Sequence, residues 1–499
     1  MPVDTATQLK LPVVIQGGMG VGVSSWRLAR AVAATGQLGV VSGVALDVLL
    51  SRRLQLGDEG GHMRRALAEF PVPDVAQMVL DRYFIPGGLP AGQPFRPIPR
   101  LSLRPRLPGQ QLTVVANFVE VFLAKEGHDG PVGINYLEKI QLATPAAVYG
   151  AMLAGVDYVL MGAGLPTEIP RLLTVLAGDA PGRLSIAVHG AVPGQPHHLD
   201  FDPQQVLGTR PAGVRRPRFL AIVAAASLAA YLARDAATRP DGFVLEGSIA
   251  GGHSARPRGP LTLTAEGEPV YGPRDHIDPA KVTGLGLPFW LAGGQATPES
   301  LAQALAAGAA GVQVGTAFAL CRESGLDDGL RRRLLRDATN GTLVVRNDVG
   351  ASPTGFPFKV AQLTGTTADE QVYAERLRHC DLGYLRTPYL RPNGAVGFRC
   401  PAEPIDDYVR KGGLVEETTG SRCLCNGLVA TIGLGQRRPT GEVEPPLVTL
   451  GQDLEFLPRL ACDGMDYSAA DVVAYLEGHS KLGPHALKIS SAVTVRNRS

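Results

Sequence analysis

The stretch PFWLAGGQATPESLAQALAAGAAGVQVGTAF, residues 288–318, decides how the rest of the chain is read. It opens on an apolar run, breaks at Gly293 and Gly294, passes through an alanine-rich segment and ends on a second apolar run closed by Gly315 and Thr316. Both runs are continuously apolar instead of alternating, which suits parallel strands covered on both faces. The segment between them reads as a helix. Thr297 is placed to cap its free N–H groups, Pro298 takes the first helical position and Gly308 supplies a left-handed close.

The same grammar recurs along the chain. Strands are expected at 13–18, 38–43, 131–135, 157–162, 219–224, 242–247, 288–294 and 311–315. The helical segments 24–36 and 144–155 also open on Ser or Thr and close on Gly. Eight such units imply an α/β (β/α)8 TIM barrel. Two further runs, 112–119 (LTVVANFV) and 184–190 (LSIAVHG), also read as strands. They belong to insertions or displace one of the eight, and an open doubly wound sheet is the alternative architecture. Residues 50–111 read as an insertion over one barrel face, because YFIPGGLPAGQPFRPIPR (83–100) is too rich in Pro and Gly for a long regular element. From about residue 346 the alternation stops. The expected division is a barrel over 1–345 and a loop-rich C-terminal segment over 346–499 that caps it.

Composition narrows the function. The 499 residues are 45% hydrophobic with a net charge of +2, and no basic block marks a nucleic-acid binder. The longest apolar run, Phe219 to Ala233, is too short to span a bilayer. The opening MPVDTATQLK lacks the apolar core of a signal peptide, so a cytoplasmic protein is expected. Six cysteines in this length do not make a disulfide scaffold. CLC (423–425) is not the C-x2-C of a zinc ribbon, so Cys380, Cys400, Cys423 and Cys425 read as scattered thiols and no metal site is expected.

Gly293, Gly294, Gly315 and Thr316 fall in the loops after the last two strands, where such barrels hold phosphates. The first strand ends in glycines too, IQGGMGVGVSS (15–25), giving a flat ring access to the backbone at Gly18 with Met19 as a soft apolar contact. Asn135 ends another strand and either bonds a ring edge or starts a turn. In EGSIAGGHSARPRG (246–259), Gly251 and Gly252 clear space before His253. That histidine is either a turn residue or a proton-handling group titrating near neutrality. Arg256 and Arg258 bind an anionic substrate group or are solvated. His128, His189, His197, His198 and His276 lie in polar or loop contexts.

PVVIQGGMG, VGIN, EGSIAGGH, LAGGQA and GVQVGTAF together resemble the nitronate monooxygenase family over most of residues 11–320. They are also similar to flavin-dependent enoyl-acyl-carrier-protein reductases. The resemblance implies FMN on a TIM barrel. Gly18, Met19, Asn135 and Glu246 would lie along the ring and ribityl chain, with Gly251 touching the cofactor. Gly293, Gly294, Gln313, Gly315 and Thr316 would surround the phosphate. His253 would be catalytic, as base or as nitro-group anchor. The implied substrate is a small molecule, a nitronate or an enoyl thioester. The implied reaction is oxidation of the nitronate by O2 to a carbonyl compound and nitrite; enoyl reduction with NAD(P)H and a non-catalytic flavin-binding accessory role are the alternatives. A homodimer is compatible with this reading. Two departures bear on the substrate: Ile249 stands where the family often has an acidic residue, and SARPRG follows the histidine.

Overall fold

The computed structural model describes residues 11–461 and 466–479. The opening decapeptide, read above for a signal, lies outside them. Eight parallel strands form the central sheet: β1 (Val14–Gln16), β2 (Gly39–Ser42), β3 (Val132–Leu137), β4 (Tyr158–Gly162), β5 (Arg218–Val223), β6 (Gly242–Glu246), β7 (Phe289–Ala292) and β8 (Gly311–Val314). Each pairs with the next in chain order, and β8 returns to β1 in the register Val14↔Val312. A parallel bridge Ile15↔Leu38 joins β1 to the start of β2, with Gln16 N donating to Leu38 O (3.0 Å) and Leu38 N to Val14 O (3.1 Å). The sheet therefore closes, and the open-sheet alternative is excluded.

Closure follows from the apolar runs. Ile15, Val40, Leu160, Leu220, Ile222, Val244 and Trp290 form one buried cluster, while Val14, Val41, Val159, Ala221, Phe243 and Phe289 join a second with the helices. Neighbours along a strand thus point alternately into the barrel and out to the helical layer, so both faces need apolar residues. The interior is packed with side chains, as barrels of this size are. Gln16 is fully buried and satisfied, its Nε2 reaching Ser24 Oγ (2.8 Å) and its Oε1 accepting from Val40 N (2.9 Å).

Two sequence expectations need correction, and one ambiguity is resolved. LTVVANFV is part of a helix, Leu107–Lys125, begun by Pro108 and buried on nearly every face. A helix covered all round loses the polar side that would announce its period. LSIAVHG contributes Gly182–Ile186, which pairs antiparallel with His197–Phe201 as a hairpin outside the barrel. The Ser/Thr caps hold at Thr297, whose hydroxyl accepts from Ser300 N (3.1 Å), but not at the other two helices. There, Ser24 Oγ accepts instead from Met19 N (2.8 Å), and Thr144 Oγ1 donates to Ile140 O (3.2 Å).

Residues 50–111 hold the end of helix Leu46–Gln55 and the helices His62–Ala68 and Pro73–Tyr83 before the chain turns irregular. Beyond β8 come the hairpins Val345–Asp348/Phe358–Ala361 and Thr387–Leu390/Val396–Arg399, and short helices that include Leu424–Thr431 and Ala469–Leu476. Among the described residues, no helix is long and apolar enough to cross a membrane.

Helix Thr144–Leu153 crosses Leu107–Lys125 at Gly150, where a Cβ would sit 2.1 Å from Val114 O. Gly150→Ala gains roughly 1 kcal/mol of helix propensity and loses about 1–3 kcal/mol to overpacking. The expected result is a lower thermal unfolding midpoint by circular dichroism.

Candidate functional site

The carboxyl ends of the strands open into a cavity with an empty volume of about 1580 Å³, its open mouth included. All eleven residues singled out in the sequence line it: Gly18, Met19, Asn135, Glu246, Gly251, His253, Gly293, Gly294, Gln313, Gly315 and Thr316.

At the end of β1, Asn135 Nδ2 donates to Gly18 O (3.0 Å). A Cβ on Gly18 would lie 2.3 Å from Asn135 Cβ, so glycine is required there. Asn135 Oδ1 and Gln313 Oε1 are both buried without a hydrogen-bond partner. Buried polar atoms are almost always paired, so two bare acceptors on one cavity wall call for a donor brought in from outside. After β7, Gly293 and Gly294 adopt φ of +83° and +70°, leading into the capped helix Pro298–Ala306, whose first N–H groups have no helical acceptor. Met19 packs on Gly315: a Cβ there would meet its Sδ at 3.5 Å. The Thr316 hydroxyl already accepts from Gly451 N (2.8 Å).

The two glycines before His253 have separate reasons. A Cβ on Gly251 would lie 2.9 Å from the Leu450 carbonyl carbon, so its absence admits the C-terminal chain. Gly252 has φ +79°, and its N–H donates to Thr449 Oγ1 (2.9 Å). The strand Phe358–Ala361 then fixes the turn: Lys359 N donates to Gly252 O (2.9 Å), Ser254 N to Pro357 O (2.9 Å), and His253 bridges Phe358.

His253 is half-buried. Its ring meets Phe358 edge-on at 4.8 Å, and Nε2 lies 2.7 Å from Ser352 Oγ. Burial, with the Lys139 ammonium adding to it, pushes its pKa down to about 3. A shift in this direction favours the neutral ring. Glu246 moves the other way, raised by burial to about 7 against the opposing charge of Lys359. Lys359 itself is 0% exposed. Its Nζ donates to Ser248 O and Ser254 Oγ, both at 2.6 Å, and burial lowers it to about 8, opposed by Glu246 and Glu268.

Arg256 and Arg258 do not line the cavity. Arg256 Nε donates to Gly355 O (2.8 Å) and its guanidinium lies 5.5 Å from the Phe356 ring centroid. Arg258 N donates to Asp275 Oδ1 (2.9 Å). The other five histidines weighed in the sequence are also absent from the lining. Cys380, Cys400, Cys423 and Cys425 surround one small void, but among the described residues no group of three or more His, Cys, Asp or Glu is placed to hold a metal. Sequence reasoning missed Ser352 and Lys359. The signal for Lys359 was a lone cation in the apolar run GFPFKVA (355–361).

Fold and cavity together define a closed parallel barrel with a cavity at the strands' carboxyl ends, glycine loops after β1, β7 and β8 and an imidazole after β6. Residues 212–370 match the family model described as nitronate monooxygenase, so the family resemblance carried by the motifs stands over β5 to β8 and the first C-terminal hairpin. A nitronate monooxygenase of Paraburkholderia phytofirmans is 28% identical over 225 residues, 43% of this chain and 56% of that one. A (3aS,4S,5R,7aS)-5-hydroxy-7a-methyl-1-oxo-octahydro-1H-indene-4-carboxyl-CoA dehydrogenase of Mycobacterium tuberculosis is 29% identical over 168 residues, 34% of this chain and 42% of that one. The matches thus span about half the length of these curated relatives. Among solved structures, FabK from Thermotoga maritima aligns with a TM-score of 0.44 at 16% identity, covering 94% of this chain and 92% of that one.

A neutral His253 has a direct readout. In 15N NMR of histidine-labelled protein, its ring nitrogens should show no titration across the neutral range. An imidazolium signal there would contradict the burial described.

Proposed function

We propose that the protein is an FMN-dependent oxidoreductase that uses O2 to convert alkyl nitronates to a carbonyl compound and nitrite. The observation that carries this reading is the meeting, on one cavity, of two donorless buried amide oxygens with a histidine held neutral. Asn135 Oδ1 and Gln313 Oε1 suit the N–H edge and hydroxyls of a flavin, and the bare Gly18 backbone suits its ring. The N–H groups at Gly293, Gly294, Gly315 and the start of helix Pro298–Ala306 suit a terminal phosphate. No G-x-G-x-x-G fingerprint of a dinucleotide accompanies them, which favours FMN. When bound, the flavin supplies the redox chemistry.

The chain's own part is to bind and orient the substrate. His253 is unsuited to take up a second proton at neutral pH, because its charged form is strongly disfavoured. It suits the role of a fixed, uncharged anchor for the nitro group, oriented by Ser352 and Phe358. Gly251 and Thr316, engaged by the 449–451 chain, shape the wall around it. The segment after about residue 345 is proposed as the cap of this cavity, and the cytoplasm as the protein's location.

Enoyl reduction is the second reading, supported by one observation. Adding a hydride to an enoyl thioester leaves a carbanion that needs a proton, and Glu246 is a cavity carboxyl that holds one near neutrality.

Anaerobic additions to purified protein separate the two. Propyl nitronate should bleach a flavin absorbance and NADPH should not; the reverse order selects the reductase. His253→Ala should keep bound flavin and lower kcat/KM for the nitronate by roughly 10²-fold or more, the scale for losing one placed polar group that stabilises charge. Unchanged turnover would remove His253 from the reaction.

A further inference from the structure

A single 3-10 turn, Glu138–Ile140, follows β3. Leu137 and Ile140 line the cavity, and Lys139 between them stands beside it. The Lys139 ammonium lies over the ring of Phe356, with Nζ 3.6 Å from the centroid. Arg256 reaches the same ring, its guanidinium carbon 5.5 Å from the centroid. Phe356 belongs to the loop that starts at Ser352, the partner of His253, and leads to Phe358 on the cavity wall. Lys139 and Phe356 are half-buried, and Arg256 is exposed.

Neither cation has a carboxylate partner among the described residues. Arg256 spends its guanidinium on one carbonyl, Gly355 O. Glu138 is the acid whose charge acts on Lys139. Its carboxyl, however, accepts from Gln141 Nε2 (2.6 Å), and burial raises its pKa, which favours the uncharged form. Burial lowers the pKa of Lys139, and the Arg256 charge adds to that shift. One cation over an aromatic ring is ordinary packing. Two cations on one ring repel each other, and here the repulsion is left without a fixed anion to offset it.

We propose that Lys139 and Arg256 form an anion site beside the cavity, which takes the phosphomonoester of a nucleotide ligand whose other end enters the cavity. A phosphomonoester carries about −1.5 to −2 charges near pH 7, so it matches two cations where a carboxylate matches one. Arginine offers a fork of N–H donors and lysine a point charge, and both suit phosphate. The path from this site to His253 is short, because Phe356 and Ser352 share one loop and the Lys139 charge acts on the imidazole. Two ligand classes carry the group: coenzyme A, as the handle of a thioester substrate, and NADPH. No bond is made or broken at the site, so the inference stands apart from the choice between nitronate oxidation and enoyl reduction.

The test is isothermal titration calorimetry on protein saturated with FMN, which fills the flavin's own phosphate site. The probes are two pairs that differ by one phosphomonoester: coenzyme A with dephospho-coenzyme A, and NADPH with NADH. In at least one pair the phosphorylated member should bind roughly tenfold or more tightly, the scale of hydrogen bonds to a charged group. A preference within the coenzyme A pair identifies a substrate handle, and one within the nicotinamide pair identifies a reductant. Lys139→Met, which keeps an unbranched chain over the ring, and Arg256→Gln should each remove that preference without weakening the dephosphorylated partner. No preference in either pair overturns the proposal. So does a preference that survives in both variants, or a Lys139→Met protein whose unfolding midpoint falls while the preference stays, since the ammonium then only holds Phe356. Arg256 is exposed, so if Lys139→Met fails to fold, Arg256→Gln decides alone.

Discussion

An ammonium without access to water holds the loop that ends the sixth strand. Lysine is almost never fully buried unless it is paired, and a dry, unpaired cation costs several kcal/mol. Lys359 meets that cost with oxygens from both ends of one loop, Ser248 and Ser254. Its backbone N–H takes a third oxygen, at Gly252, between them. The turn carrying His253 is thereby pinned at its start, middle and end by one residue from a strand more than a hundred positions later. The barrel supplies the strand end, but the hairpin after it sets where the imidazole stands.

The dry environment acts in opposite directions on the two cavity groups it surrounds. Burial disfavours whichever form is charged. For His253 that is the imidazolium, so the ring stays neutral. For Glu246 it is the carboxylate, so the carboxyl retains its proton up to near-neutral pH. Lys359 limits the second effect and Lys139 deepens the first. One packing arrangement therefore separates an uncharged hydrogen-bonding group from a proton-exchanging one.

The eight strands were legible because a parallel barrel buries both faces of each strand, and that requirement writes continuous apolar runs. The glycine loops were legible because their positions follow the strand ends. LTVVANFV misled because the helix containing it is enclosed on almost every side, which erases the pattern that separates helix from strand. The state of His253 was not legible. The residues after it in sequence, SARPRG, are mostly polar, whereas Phe358 and Ser352, which pack against it, and Lys139, whose charge acts on it, come from about a hundred positions away. Lys359 was missed for a related reason. GFPFKVA lies in the segment read as loop-rich, where a single cation suggests solvent, but the loop after β6 covers it.

The departure at Ile249 connects these points. The family resemblance implies an acidic residue there, whereas this chain places an apolar one on the cavity wall. Its side chain reaches the Gly294 loop, where a Cβ would lie 2.6 Å from Ile249 Cδ1. A carboxylate at 249 would bring a second negative charge and its water into the wall that Glu246 shares. Like charges there would compete for one proton and spread its titration over both groups. With Ile249, the carboxylates lining the cavity are Glu246 and Asp453, and it is Glu246 whose surroundings are dry enough to move its titration into the neutral range.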